Sequence, residues 1–141
     1  MKIVINTNSI EETIAFAKKI GEAADPGSIY ALHGELGTGK TIIAKGIARG
    51  LGIEEDVTSP TFNLLEIYKG RLPLYHFDLY RIQDEQELDQ LFFEEYWDGN
   101  GVSVIEWAER AKGKLPETTI HITLDYIDES RRQITIEHIN N

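Results

Sequence analysis

Residues 34–41, with the sequence GELGTGKT, match the phosphate-binding pattern G-x-x-x-x-G-K-[ST] at every defined position. Glycines in this pattern let successive backbone N–H groups point at phosphate oxygens, and a following helix adds the positive end of its dipole. Lys40 would bridge the β- and γ-phosphates of a nucleotide from a solvent-facing loop, and the Thr41 hydroxyl would hold Mg²⁺. The segment therefore predicts a nucleotide site that uses Mg²⁺.

Two acidic residues stand where predicted strands end, and either can complete the metal shell of such a site. Glu106 follows the apolar run 102–105, which is typical of a buried strand, and Asp78 ends the run Tyr75-His76-Phe77. An acid at the end of a neighbouring buried strand is the usual partner of the phosphate loop, with Asp more common than Glu. The residues alone leave the division of roles between Glu106 and Asp78 open.

Three further features near these residues are weaker candidates for a functional role. Residues 58–61, Thr-Ser-Pro-Thr, follow the helix after the phosphate loop, where nucleotide switches often lie, although a plain Ser-Pro turn fits equally well. We expect His76 to pack inside the sheet, because no catalytic partners are visible for it. We likewise expect Trp107 to be a packed aromatic residue at a strand end.

The elements that hold these residues can be predicted from hydrophobic spacing and turn signals. The pattern predicts strands at 3–5, 29–32, 62–68, 72–80, 102–105, 119–126 and 133–138. It predicts helices from Ser9 to before Asp25, from 40 to 51, and from Asp84 toward Phe92 and Tyr96. We therefore expect an α/β fold in one domain, residues 1–141: a P-loop NTPase-like three-layer sandwich with a mixed central sheet and antiparallel hairpins.

Composition limits the classes of function. The 141 residues are 41% hydrophobic and 27% charged, which is the range of globular proteins. The formal net charge is −10 and basic residues are scattered, so tight direct binding of DNA or RNA is not expected. The chain contains no cysteine, which excludes disulfides and thiolate chemistry. With no apolar run long enough for a membrane span and no signal peptide, we expect a cytoplasmic protein without a membrane partner.

Four segments in this order resemble the TsaE (YjeE) family: GELGTGKT, TSPTFNLLEIY, LYHFDLYRI and VIEWAER. This family comprises small bacterial P-loop ATPases needed to make threonylcarbamoyladenosine in tRNA. The resemblance implies ATP and Mg²⁺ as cofactors, and TsaD and TsaB as partner proteins, with tRNA reached only through their complex. It further implies an ATPase that supports turnover of that complex, and we expect this activity to be slow without the partners.

Carried over by position, the resemblance implies roles for individual residues. The cofactor-binding set is Glu35, Leu36, Gly37, Thr38, Gly39, Lys40, Thr41 and Arg131. Thr41 and Glu106 match the Mg²⁺ site, and Asp78 matches an acid that orders the metal or the attacking water. Residues 59–62 match a switch-like segment. Arg131 lies in a turn that contacts the base in the family, where Ser130 replaces a common glycine.

Two other classes of P-loop protein remain as alternatives. A small-molecule kinase would need an acceptor pocket and an arginine-bearing lid; no inserted lid is evident, but Arg71, Arg81 and Arg131 keep this class open. A GTPase-type switch would need a D-x-x-G segment, and residues 98–101 fit that pattern but precede a strand instead of following one. The chain has no N/T-K-x-D guanine-reading motif, which favours ATP.

Overall fold

The computed structural model describes residues 2–34, 40–58, 64–84, 86–89, 94–97, 99–111 and 113–138. The strands are β1 (Lys2–Thr7), β2 (Ile29–His33), β3 (Leu65–Tyr68), β4 (Leu74–Asp78), β5 (Val102–Glu106), β6 (Ile120–Tyr126) and β7 (Arg132–His138). The helices are α1 (Ile10–Ala23), α2 (Lys40–Gly50), α3 (Gln86–Asp89) and α4 (Glu94–Trp97), and a 3₁₀ turn spans Ala108–Ala111. The predicted α/β class is confirmed.

The seven strands of the described ranges form one mixed sheet in the order β1-β7-β6-β2-β5-β4-β3. The four central strands, β6, β2, β5 and β4, are mutually parallel. The flanking pairs β3–β4, β6–β7 and β1–β7 are antiparallel, as expected for the predicted hairpins. Because the central strands run in one direction, their carboxyl ends share one edge, which is where ligands bind in open α/β sheets.

Buried side chains form a hydrophobic cluster on each face of the sheet. On one face, Ile43 and Ile47 of α2 pack with Leu32 and Val104 of the central strands. On the other face, Trp97 of α4 and alanines of the 3₁₀ turn pack with residues of β2, β4 and β5. The wholly apolar run of β2 is thus explained, since this strand is buried from both sides.

Helices α1 and α2 cross at very short distance, which fixes the position of α2 against the sheet. A Cβ atom at Gly21 would overlap the carbonyl oxygen of Ile47, and one at Gly50 would overlap that of Lys18. Ser9, where the sequence predicts this helix to begin, caps α1, because its side chain accepts a hydrogen bond from the Glu12 amide at 3.0 Å. The close approaches at Gly21 and Gly50 hold the second half of α2 against α1.

The middle of the chain departs from the predicted bounds. Strand β4 ends at Asp78 instead of residue 80, because the Asp78 carboxylate accepts the Tyr80 amide and turns the chain. Of the helix predicted after Asp84, the described residues 86–89 and 94–97 are helical, as α3 and α4, and the residues between them lie outside the described ranges. Within the described ranges, no helix combines the length and apolarity that a membrane span requires.

Candidate functional site

The predicted phosphate loop joins the carboxyl end of β2 to the start of α2. Strand β2 ends at His33, and Gly34 follows with a φ of 147°, a conformation that favours glycine. Helix α2 begins at Lys40. The strand–loop–helix context is therefore present at both ends of the motif. The intervening candidates Glu35, Leu36, Gly37, Thr38 and Gly39 lie outside the described residues, as does the predicted switch at 59–62.

Thr41 and Glu106 meet at this edge of the sheet although they are far apart in sequence. The Thr41 hydroxyl donates a hydrogen bond of 3.1 Å to Glu106 Oε1. The Glu106 side chain is only 5% exposed. A hydroxyl and a carboxylate oxygen are hard donors of the kind that Mg²⁺ prefers. The two residues predicted as metal ligands are therefore in direct contact.

Asp78 lies beside Glu106, because β4 and β5 are parallel neighbours with these two residues in register. Burial raises the pKa of the Asp78 carboxyl group, and the nearby charge of Glu106 raises it further, against the lowering effect of the Tyr80 amide. Both predicted acids therefore reach the same edge. In the described contacts, Glu106 is the acid that binds Thr41, while Asp78 accepts a backbone amide.

We expect Asp78→Asn to raise the melting temperature at neutral pH. A carboxyl group whose pKa is raised by folding contributes its full stability below the unfolded pKa, and this contribution is lost as pH rises through the folded pKa. The ionised Asp78 thus costs stability at pH 7, and the gain from asparagine should shrink as the pH is lowered. Asp84→Asn is the matched control, because Asp84 accepts a similar backbone bond at an exposed position. A lower melting temperature for Asp78→Asn at pH 7 would contradict this account.

Lys40 does not lie on a solvent-facing loop, and that expectation is wrong. It is the first residue of α2 and is only 7% exposed, because its side chain packs against Trp107. Its Nζ atom lies 4.3 Å from the centroid of the Trp107 ring, in cation–π contact. Among the described residues, this buried Nζ has no hydrogen-bond partner. A buried ammonium without a hydrogen-bond acceptor is a favourable place for an anion.

Trp107 packs at the strand end, as the sequence predicts, in a backbone conformation that is rare for its type. Its φ is 58°, and its ring meets Tyr80 edge to face with centroids 4.9 Å apart. Non-glycine residues in this region are strained and concentrate at functional sites. The strain lies directly between Glu106 and the 3₁₀ turn that packs beneath β2.

His76 is buried in the sheet, as predicted, but it also contacts the site. Its side chain is 0% exposed, and its Nε2 atom lies 2.6 Å from Glu106 Oε2. The sequence signal for this contact is the spacing of two between His76 and Asp78, since alternate residues of a strand share a face. That signal places His76 with Asp78 and, through the register of β4 with β5, next to Glu106.

Comparisons with known proteins agree with these features. The sequence profile of the family described as "Threonylcarbamoyl adenosine biosynthesis protein TsaE" matches residues 7–134. The chain belongs to the TsaE family. A Treponema pallidum protein named "tRNA threonylcarbamoyladenosine biosynthesis protein TsaE" is 42% identical over 130 residues, which cover 92% of this chain and 96% of that protein. A Bacillus subtilis protein of the same name is 43% identical over 132 residues, covering 93% and 82%.

A solved structure extends the comparison to the fold of this TsaE-family chain. The crystal structure of YdiB from Bacillus subtilis superposes with a TM-score of 0.84 at 36% sequence identity. The match covers 100% of this chain and 88% of that one. The family resemblance predicted from the four motifs is thus confirmed.

Two arginines named in the sequence analysis occupy opposite edges of the sheet. Arg131 follows β6, at the edge where the parallel strands end, and its Nε atom donates to Asp128 Oδ2 at 2.6 Å. Arg71 precedes β4 and donates to the carbonyl oxygens of Gly21 and Ala24, at 3.0 and 3.1 Å, where α1 ends. Arg71 therefore caps a helix, while the role of Arg131 toward a base stays a prediction.

The sequence analysis missed a pair of histidines that joins the end of β2 to the neighbouring strand β6. His33 Nε2 lies 2.8 Å from His121 Nδ1, and the two rings are stacked. Burial lowers the pKa of both imidazoles. The two residues are 88 positions apart. Only the parallel pairing of β2 with β6 brings them together, so no local signal could have revealed the pair.

Proposed function

We propose that this chain binds ATP with Mg²⁺ through residues 34–41 and hydrolyses it in support of threonylcarbamoyladenosine formation in tRNA. Its fold would then be the P-loop NTPase-like sandwich expected from the sequence. The observation that carries the proposal is the Lys40 ammonium, which is buried at the start of α2 with no hydrogen-bond partner among the described residues. A phosphate group there would provide the missing acceptors.

The residues beside Lys40 fit a magnesium nucleotide. Thr41 and Glu106 supply adjacent oxygen donors, and Asp78 supplies a second carboxylate next to Glu106. When bound, Mg²⁺ would neutralise phosphate charge during transfer to water. Thr41 and Glu106 would hold the ion, Lys40 would hold the phosphates, and Asp78 would order the attacking water.

The biological role is proposed from the family to which the chain belongs. The named relatives carry tRNA threonylcarbamoyladenosine biosynthesis in their names, and the matches extend over most of their length. The net charge of −10 argues against a direct grip on tRNA and suits a protein partner with a basic surface. We therefore propose TsaD and TsaB as the partners, with tRNA engaged only through their complex.

We expect ATP hydrolysis by the isolated chain to be slow and to be stimulated by the TsaD–TsaB complex. Phosphoryl transfer often needs a cation supplied by a second protein, and Arg71 is engaged in capping α1. The test measures steady-state ATPase rates alone, with TsaD–TsaB, and with tRNA only. Raising the salt concentration should slow association with the complex, because it screens the attraction between opposite charges.

Two results of that experiment would contradict the proposal, and two further measurements test the alternative functions. Strong stimulation by tRNA alone, or a high basal rate indifferent to the protein partners, would reject the partner-dependent role. Transfer of the phosphate to a metabolite in place of water would favour a kinase. Displacement of a fluorescent ATP analogue by GTP in preference to ATP would favour a GTPase-type switch.

A further inference from the structure

The two carboxylate oxygens of Glu106 have different partners. Oε1 accepts the Thr41 hydroxyl at 3.1 Å, and Oε2 lies 2.6 Å from Nε2 of His76. Thr41 belongs to α2 and His76 to the interior of β4, so Glu106 is held from a helix on one side and from the sheet on the other. Both residues are buried: the exposed fraction of the whole residue is 4% for Glu106 and 0% for His76.

We propose that His76 is a positioning residue for Glu106. Its Nε2–H group donates to Oε2, fixes the plane of the carboxylate, and thereby keeps Oε1 directed at Thr41 and the metal position. This inference rests on the proposed function for the metal-binding role of Glu106. The hydrogen bond itself belongs to the protein without ligand and can be tested there.

The surroundings of His76 favour a proton on Nε2. The opposite ring nitrogen, Nδ1, is also buried, and no atom in the described parts of the chain accepts or donates a hydrogen bond there. A proton on Nδ1 would be a buried donor without an acceptor, which is disfavoured. The hydrogen bond between the two side chains is therefore donated by His76 Nε2 and accepted by Glu106 Oε2.

This arrangement resembles the general design of metal sites, in which a second layer of residues orients the ligands. A histidine that merely fills space in the sheet can be replaced by an apolar residue of similar size. A histidine that orients Glu106 needs an N–H group at the position of Nε2. The two roles therefore make different demands on a substitution.

Two variants of His76 separate these roles. His76→Gln keeps an N–H donor near the position of Nε2, whereas His76→Leu fills the space without a donor. Ser103→Ala is the matched control, because Ser103 is equally buried on β5 and its hydroxyl has no partner among the described residues. Ser103 also lies on the opposite face of β5 from Glu106, since the two are an odd number of residues apart.

The first measurement is the Mg²⁺ concentration needed for half-maximal binding of a fluorescent ATP analogue. We expect His76→Leu to raise it about tenfold or more, since one hydrogen bond to a charged group is lost. His76→Gln should restore most of that loss, and Ser103→Ala should leave the value unchanged. Analogue binding without Mg²⁺ should be the same in all variants.

The second measurement uses ¹⁵N NMR of the imidazole in the unliganded protein at neutral pH. We expect His76 to show the Nε2–H tautomer with a proton protected from exchange, and we expect Glu106→Gln to change that signal. This result does not depend on nucleotide binding. A wild-type chain that binds no magnesium nucleotide would refute the proposed function, and the NMR spectrum would still decide whether His76 donates to Glu106.

The positioning role would be overturned by any of three results. These are a ring that carries its only proton on Nδ1 at neutral pH, an unchanged Mg²⁺ requirement in folded His76→Leu, and a His76→Gln variant as impaired as His76→Leu. If His76→Leu fails to fold, the comparison of His76→Gln with wild type and the NMR tautomer decide the question.

Discussion

Lys40→Met is expected to abolish measurable ATP binding while leaving the melting temperature unchanged or higher. The Lys40 ammonium is buried at the start of α2 and has no hydrogen-bond partner among the described residues. Hydrogen bonds to charged groups contribute about 1.5–3 kcal/mol each, so losing two such bonds to phosphate would weaken binding by roughly a hundredfold or more. Methionine preserves most of the side-chain volume over Trp107.

The stability part of this expectation follows from the burial of an unpaired charge. Taking an ammonium out of water is costly unless acceptors replace the water. The ring of Trp107, 4.3 Å from Nζ, offsets part of that cost by cation–π attraction. Removing the charge removes the cost and the attraction together, while the thioether keeps contact with the ring. The two effects oppose each other, so the fold should survive.

The measurement pairs titration of a fluorescent ATP analogue with thermal unfolding of the same samples. Lys45→Met is the matched control, because Lys45 lies on the same helix and its amine faces Asp56 at 3.6 Å near the surface. This control should keep wild-type ATP affinity. Wild-type affinity in Lys40→Met would refute the assignment of residues 34–41 to phosphate binding.

The parts of the fold that sequence predicted well are those with strong local signals. Strand β2 is a short apolar run, and α1 begins after Ser9 with Glu12 in its first turn at capping-box spacing. Both elements were therefore predicted within a few residues. The end of β4 was misplaced, because Asp78 turns the chain with its own carboxylate. Local pattern cannot distinguish an acid that continues a strand from one that ends it.

The sequence predicted which residues form the candidate site, but it predicted only some of the contacts between them. The motif at 34–41 and the strand ends indicated Thr41, Asp78 and Glu106, and the structure brings these three to one edge of the sheet. The buried bond from His76 to Glu106 depends on the pairing of β4 with β5, which no local pattern specifies. The burial of Lys40 likewise depends on Trp107, whose backbone conformation is itself unusual.

Glu106→Gln is expected to preserve the fold and nucleotide binding without Mg²⁺ but to reduce Mg²⁺-dependent hydrolysis by roughly a hundredfold or more. This is the scale seen when one electrostatic contact to a transition state is removed. The amide has nearly the shape of the carboxylate. Its oxygen can accept from His76 Nε2, and its NH₂ group can donate to the Thr41 hydroxyl, so neither partner loses its bond. What disappears is the negative charge, and a neutral amide is a poor ligand for a hard divalent cation.

Asp78→Asn decides whether the two carboxylates have separate roles, because Asp78 is the in-register neighbour of Glu106 on β4. If Glu106 holds the metal and Asp78 orders water, Glu106→Gln should raise the Mg²⁺ concentration needed for nucleotide binding. Asp78→Asn should then slow hydrolysis with that concentration unchanged.

The measurement is the Mg²⁺ dependence of ATP-analogue binding and of hydrolysis in both variants. The opposite pattern, with an unchanged Mg²⁺ requirement in Glu106→Gln and a raised one in Asp78→Asn, would move the metal-binding role to Asp78. The bond from His76 to Glu106 favours the first outcome, because it orients Glu106 from inside the sheet, whereas Asp78 is held by the Tyr80 amide at the sheet's edge.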